Sequence, residues 1–455
     1  MNTHSTTAAV SFLESWLAFQ FSQVDLPGLS ITVSVDDKIV LSQTYGFANV
    51  STRKKLTTEH RFAVGSQSKM FTSIAILQLA EAGKLSLDDA AAKHLTMLSG
   101  HIDERARTMT IRQLLSHTSG LIREGGEADY WQQNIPFPTR KQLEKQMLAA
   151  AFPPVAAKHA KYSNLGIAII GQVIERVSGT TYDDYVTKHV LSKLDLKYTT
   201  ASQTIGRTTP IATGYTPRHF HQRHPLHFRG NMNAFASVIG VVSTSEDMCH
   251  FITRALGTRA VLSRQSADEM QAEQGTIDAG YDEGTSLGLG IERLSVGEQT
   301  IVGHSGHLFG QNTATFFNAQ TKCAVSIATN CRDGFAKQIV IGVFEILEFF
   351  RLHAAVPTPQ HLQRFARRVM NTYTSVEIIP TAEKIIAIDP NDWQPFGWAD
   401  SLEYVDPTTL RIVTQGSLFN EGELVRFNFR DDDDKDDKLV SLNFAGITLA
   451  PVPKR

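Results

Sequence analysis

The sequence predicts an α/β (α+β) fold: a sheet flanked by helices, with a helical insert, followed by a small antiparallel β-rich unit. Three observations carry this. β-type runs stand near both ends of the first 355 residues, and apolar helical patterns fill the space between them. After Val356-Pro-Thr-Pro-Gln360 the pattern changes to short alternating runs with polar turns. The expected division is therefore 1–355 and 356–455, with the proline-bearing stretch as linker.

The elements follow in order. Val10, Leu13, Leu17, Phe21 and Val24 fall at helical spacing and predict an amphipathic first helix that docks on a core. Gly28–Val35 and Ile39–Tyr45 are β-rich runs around Asp36-Asp37-Lys38, which reads as a hairpin. Phe71 to Gly83 is helical in pattern, with Gly83 as its stop, and Leu165 to Val177 is a second apolar helix ended by Ser178-Gly179. Strand patterns return at Thr300–Val302, Thr313–Phe317 and Ala324–Thr329, and Ala336 to Leu352 is a last long helix. Beyond the linker, Lys384–Ile388, Thr409–Val413, Leu424–Phe429 and Leu439–Phe444 alternate as strands. The acidic run Asp431–Lys438 between two of them reads as a solvated hairpin turn rather than a calcium loop.

Composition narrows the function. Among 455 residues, 42% are hydrophobic and the formal charge is −2, so nothing marks a nucleic-acid or acidic-membrane partner. No apolar run approaches membrane-spanning length, and Met1 to Asp37 carries no Lys or Arg that could form a secretory n-region. The expectation is a cytoplasmic protein, or a periplasmic one if a leader has been removed, acting on a small molecule or short peptide. Its oligomeric state is not legible. Cys249, Cys323 and Cys331 are too few for a disulfide framework; a Cys323–Cys331 bridge competes with free buried thiols. Zinc signatures are absent, and no cofactor or metal is expected.

Ser66-Gln-Ser-Lys69 is the first pattern with chemistry in it. Ser-x-x-Lys alone is weak, and Ser51-Thr-Arg-Lys54 fits it too. Context separates them: Ser51 lies in a polar, basic stretch, whereas Ser66 opens an apolar helix, beside its dipole and free N–H groups. Residues three apart share a helical face, so Lys69 would lie beside the Ser66 hydroxyl. A serine needs a base, and a lysine is one only when burial or a nearby cation lowers its pKa. The competing reading is an N-cap serine with a surface lysine. Tyr162-Ser163-Asn164 precedes the second apolar helix; a phenol relays protons and an amide offers both a donor and an acceptor, though Tyr162 could equally be a core-edge residue. Gly303-His304-Ser305-Gly306-His307 follows a strand run, and its small residues would let a substrate lie along a strand edge.

With these three motifs in this order, the sequence resembles the serine β-lactamase-like family, which takes in class C β-lactamases, DD-peptidases, D-aminopeptidases and family VIII esterases. Thr44–Ala48, Ile111–Leu121, Tyr162–Gly166 and Val242–Asp247 also look like segments typical of it, and the resemblance covers about 28–352. It implies an antiparallel sheet with helices in the β-lactamase/transpeptidase manner, and a lipocalin-like barrel at the C-terminus. It also implies that Ser66 is acylated, that Lys69 takes its proton, and that Tyr162 passes a proton to the leaving group. Asn164 would hold the substrate amide, and the N–H groups of Ser66 and His307 would form the oxyanion hole. His304, Ser305 and Gly306 stand where the family has Lys-Thr-Gly. A histidine is mostly neutral near pH 7, which removes a fixed charge and weakens the case for a dedicated β-lactamase.

The leading expectation is a small-peptide or D-amino-acid peptidase or amidase. The alternatives are a carboxylesterase for short acyl chains with at most weak β-lactamase activity, and an inactive homologue that binds or scaffolds. Gly303–His307 also comes within one residue of the Gly-x-Ser-x-Gly elbow, which would make Ser305 the nucleophile of another fold. His219, His221, His224 and His227 read as a metal site, a cleft-mouth loop or a plain solvated loop; Tyr130, Trp131 and Phe137 read as pocket walls or simple packing.

Overall fold

A computed structural model describes residues 2–153, 160–201, 210–218, 222–227, 231–277, 284–397, 399–414, 420–430 and 438–452. It divides into two units, Leu26–Val340 and a second joining Met1–Asp25 to Ile341–Arg455. The expected boundary at 355/356 differs from this grouping, because it leaves the first helix and most of the helix Ala336–His353 with the larger unit.

In the Leu26–Val340 unit a nine-stranded antiparallel sheet runs in the order Lys54–Lys55, Lys38–Asn49, Gly28–Val35, Cys323–Thr329, Gln311–Asn318, Gln299–Leu308, Glu292–Val296, Ser286–Leu287, Gly275–Thr276. Strands β1 (Gly28–Val35) and β2 (Lys38–Asn49) form the expected hairpin. Its turn residues Asp36 and Asp37 have φ of 50° and 62°, the left-handed pair of a two-residue turn matched to strand twist. On β1, Leu29, Ile31 and Val33 alternate with Ser30, Thr32 and Ser34, and all six are buried. The small polar face admits the helix Ser245–Ile252 closely: Ser245 Oγ donates to Ser30 Oγ at 3.1 Å, and Cys249 Sγ lies 3.3 Å from the Thr32 carbonyl. All three cysteines are buried, and none forms a disulfide, so Cys323 and Cys331 are not bridged.

The helical insert centres on α2 (Ser68–Glu81), buried almost all round, with the polar Ser68, Lys69, Thr72 and Ser73 among its buried residues. The helix Asn164–Ser178 is capped by the Ser163 side chain and ended by Gly179 at φ 74°. Both expected helices are present.

In the other unit, α1 (Thr3–Gln23) buries Leu13 and Leu17 as expected, and also Trp16, Phe19 and Gln20. Gln20 is buried because its Nε2 donates to the carbonyls of Pro390 and Asp392, both at 2.8 Å, while Trp16 meets Trp393 edge-on. Eight strands close into a barrel: Arg367–Met370, Ser375–Pro380, Ile385–Ile388, Asp400–Asp406, Thr409–Ile412, Leu424–Phe429, Leu439–Phe444 and Ile447–Pro451. Closure leaves no open edge. The four strands expected from alternation are here; Arg367–Met370, Ser375–Pro380, Asp400–Asp406 and Ile447–Pro451 are the four that were not expected. The acidic run falls between paired Phe429 and Leu439, but Asp431–Asp437 lie outside the described residues.

Glu345, on the helix Ala336–His353, has a buried Oε2 with no hydrogen-bond partner among the described residues. Burial pushes its carboxyl up to about 7, with the Phe396 backbone pulling down and Asp392 adding to the rise. Stability from a raised acid is fully present below its ordinary pKa and is lost as pH rises through the folded value. Melting temperature should therefore fall from pH 5 to 8, and Glu345→Gln should fall less; an equally steep fall in the variant would refute the assignment.

Candidate active site

Ser66 sits in a 3-10 turn, Gly65–Gln67, that leads into α2 at Ser68. The expectation placed it at the helix start itself; the extra turn arises because the strand Gln299–Leu308 crosses directly over this backbone. A Cβ on Gly306 would lie 2.0 Å from the Val64 carbonyl and 3.1 Å from the Ser66 nitrogen, and one on Gly65 would lie 2.9 Å from the His307 nitrogen. Gly65 also holds φ 57°. These two glycines bring the backbones of Ser66 and His307 together. Gln67 is fixed beneath them by its Nε2 donating to Thr313 Oγ1 at 2.7 Å.

Lys69 is fully buried on the first turn of α2, and its Nζ is 2.8 Å from Ser66 Oγ and 3.4 Å from the Val238 carbonyl. Burial pulls its ammonium down to about 7; Glu124 opposes this, Arg123 adds to it and Glu292 opposes it. On the other side, the Tyr162 hydroxyl donates to Ser66 Oγ at 2.9 Å. Burial pushes that phenol well above its ordinary value, so near neutrality Tyr162 is a donor and Lys69 is the group that can be unprotonated. Lys69 Nζ lies 5.0 Å from the Tyr162 ring centre. By contrast, Ser51 is exposed between β2 and Lys54–Lys55, with no such surroundings.

Asn164 opens its helix two residues after Tyr162; its Nδ2 donates to Glu124 Oε1 at 2.6 Å, and its Oδ1 is buried without a protein partner among the described residues. The Tyr130 hydroxyl donates to the other oxygen of Glu124 at 3.2 Å. Tyr130 and Phe137 are at once core residues and, with Phe309, walls of a cavity of about 200 Å³; Trp131 packs on both rings.

The ladder between Glu292–Val296 and Gln299–Leu308 ends at the pair Glu292–Gly303, just before His304. His304 is buried, its ring centre 6.3 Å from that of Tyr162. Its Nδ1 lies 2.6 Å from the Ser305 carbonyl and 3.1 Å from Glu292 Oε1, both acceptors, so Nδ1 carries the hydrogen. Burial lowers the His304 pKa further, which keeps the ring neutral at pH 7. Ser305 donates its hydroxyl to Glu292 Oε1 at 2.7 Å and lies inside a strand followed by another strand, which overturns the nucleophile-elbow reading. His307 is exposed, with its backbone against Gly65.

Sequence reasoning missed four groups here. His117 packs against Tyr162 with ring centres 4.2 Å apart and the rings tilted by 33°, accepts from the Ser163 N–H at 3.1 Å and holds φ 59°. Arg123 places its guanidinium 5.6 Å from the Tyr162 ring centre. Glu124 and Glu292 are the others. Glu292 carried a faint signal, a carboxylate ending an otherwise apolar run from Leu287 to Ile291. Of the four histidines, His219 and His221 lie outside the described residues, and His224 and His227 are exposed. No group of residues suited to a metal occurs among the described residues, and no helix there is long and apolar enough to cross a membrane.

Comparison with known proteins agrees with this layout. A family profile described as Beta-lactamase matches residues 17–341. Protein flp of Staphylococcus aureus (strain MW2) is 25% identical over 323 residues, 69% of this chain and 62% of that protein. The chain thus spans less than two thirds of that relative's length. Among solved structures, an octameric penicillin-binding protein homologue from Pyrococcus abyssi superposes with a TM-score of 0.66 at 22% identity, covering 97% of this chain and 99% of that one. A D-stereospecific amidohydrolase from Streptomyces sp. gives a TM-score of 0.61 at 24% identity, covering 75% of this chain and 98% of that one. At these identities the two structures establish a shared fold.

Proposed function

Because this chain belongs to the Beta-lactamase family, we propose that it is a serine hydrolase that opens an amide or ester bond through an acyl-enzyme on Ser66. One observation carries the reading: Ser66 Oγ lies between Lys69 Nζ at 2.8 Å and the Tyr162 hydroxyl at 2.9 Å, with the lysine held near 7. In its neutral form Lys69 accepts the Ser66 proton as the hydroxyl attacks the carbonyl. The carbonyl oxygen, becoming negative, turns toward the N–H groups of Ser66 and His307. Tyr162 hands a proton to the leaving group and is recharged through Lys69. Water then attacks the acyl-serine with the same groups acting in reverse. Asn164 Oδ1, buried without a protein acceptor's usual donor, is available to a substrate N–H.

The preferred substrate is a small peptide or a D-amino-acid amide, supported by that free amide oxygen and by the fold shared with an amidohydrolase. A second reading, a carboxylesterase for short acyl chains, is favoured by the neutral His304, which offers no charge to a substrate carboxylate. Comparing kcat/KM on p-nitrophenyl acetate, nitrocefin and D-alanyl amides separates them; turnover of esters alone excludes the first.

The nucleophile is tested by intact mass after brief exposure to a fluorophosphonate. Wild type and Ser51→Ala are expected to gain one adduct, and Ser66→Ala none. An unlabelled wild type would instead favour a non-catalytic binding protein.

A further inference from the structure

We infer that Glu292 sets the specificity of this site by acting as a built-in carboxylate that excludes anionic leaving groups from the His304–Ser305 strand edge. The inference rests on the hydrolase reading above and narrows its substrate class to compounds neutral on the leaving-group side, amides and carboxyl-blocked peptides rather than free-acid peptides.

Donors along this edge are already spent. The Ser305 hydroxyl and the Ser305 N–H both donate to Glu292 Oε1, at 2.7 and 3.1 Å, and His304 Nδ1–H faces the same oxygen at 3.1 Å and the Ser305 carbonyl at 2.6 Å. A substrate carboxylate arriving at this edge would therefore meet lone pairs, those of Ser305 Oγ and of the unprotonated His304 Nε2, instead of donors. A hydroxyl that donates to a buried carboxylate cannot be recruited by an incoming one without costing that buried charge a hydrogen bond.

Glu292 is also permanently ionised. Burial works to raise its carboxyl, but His304, Lys337 and the Ser305 hydrogen bonds overcome it and hold the group down to about 2. Because His304 is neutral at pH 7, Lys337 is the standing counter-charge, with its Nζ 3.1 Å from Glu292 Oε2. Lys337 is itself largely buried, at 14% side-chain exposure, and is bound on the far oxygen of Glu292. Its charge is therefore consumed by the internal carboxylate. The Tyr162 ring beside His304 places this edge on the side where the leaving group takes its proton.

The test uses two aryl acetates that share an acyl group, phenyl acetate and 3-carboxyphenyl acetate, and reads the ratio of their kcat/KM values. Wild type is expected to favour the neutral ester at least tenfold. Glu292→Gln, which removes the negative charge opposite Lys337 while its amide oxygen can still accept from Ser305, is expected to shift the ratio at least tenfold toward the carboxylate ester. Lys337→Met, which leaves Glu292 uncompensated, is expected to shift it the other way. A ratio unmoved within twofold in folded Glu292→Gln overturns the inference. So does a wild type that prefers 3-carboxyphenyl acetate, a result needing no variant to fold. If wild type turns over phenyl acetate and the ratio does not move, only this specificity role falls. If neither ester acylates Ser66 and a fluorophosphonate leaves it unlabelled, the hydrolase reading falls and takes this one with it; if the probe labels Ser66, the same ratio is read between D-alanyl anilide and D-alanyl 3-carboxyanilide.

Discussion

Lys69→Met is expected to be more stable than wild type at pH 7 while losing about 10⁴-fold in kcat/KM. Both effects have one cause. Burial lowers the Lys69 pKa from 10.5 to about 7, so between those values the unfolded chain holds a proton that the folded protein has shed. Stability therefore rises with pH across that window, and the group costs most at pH 7 and below, roughly 3–5 kcal/mol at about 1.4 per unit. Methionine fills similar volume without a charge to desolvate, so the cost disappears together with the base. Urea unfolding at pH 7 and 9.5 should show the variant's advantage shrinking as pH rises. In wild type, kcat/KM should climb with pH and level off above about 7 as Lys69 loses its proton. A variant that keeps activity, or that is less stable at pH 7, would remove Lys69 from the role of base.

Gly306→Ala is the complementary case: it keeps every group of the proposed reaction but displaces Ser66. The added Cβ would stand 2.0 Å from the Val64 carbonyl, which is backbone and cannot swing aside. Either the strand Gln299–Leu308 or the turn Gly65–Gln67 must shift by about an ångström, and a misplacement of that size costs on the order of 10²-fold in rate. Overpacking of this kind also costs about 1–3 kcal/mol of stability. Expected together are a lowered melting temperature, a kcat reduced about 10²-fold and labelling of Ser66 slowed but still confined to Ser66. Wild-type kinetics in Gly306→Ala would mean that the close crossing does not position the nucleophile.

Much of this was legible in the sequence because the signals were local. Ser66 and Lys69 share a helical face by spacing alone, and Asp36-Asp37 marks a hairpin turn without reference to anything distant. Val425 and Phe427, and Leu442 and Phe444, alternate plainly enough to be read as strands. The barrel's Asp400–Asp406 was not legible, since Asp-Ser-Leu-Glu-Tyr-Val-Asp shows little apolar alternation and its place is set by pairing with Ile385–Ala387 and Thr409–Ile412. Gln20 and Trp16 likewise read as ordinary helix residues until Pro390, Asp392 and Trp393 supply their partners.

The same division runs through the site. The sequence by itself determined which residues we propose carry the chemistry, because a serine three places before a lysine at the start of an apolar helix is a short-range arrangement. Only the tertiary structure decided their states. The lowered pKa of Lys69 comes from burial and from Glu124, Arg123 and Glu292, which lie 54 or more positions away in the chain. The spent donors of His304 and Ser305 depend on Glu292 reaching them across a strand pair, and the meeting of Ser66 with His307 on two glycines at a crossing. Electrostatics and close packing act through space, and no spacing along the chain encodes them.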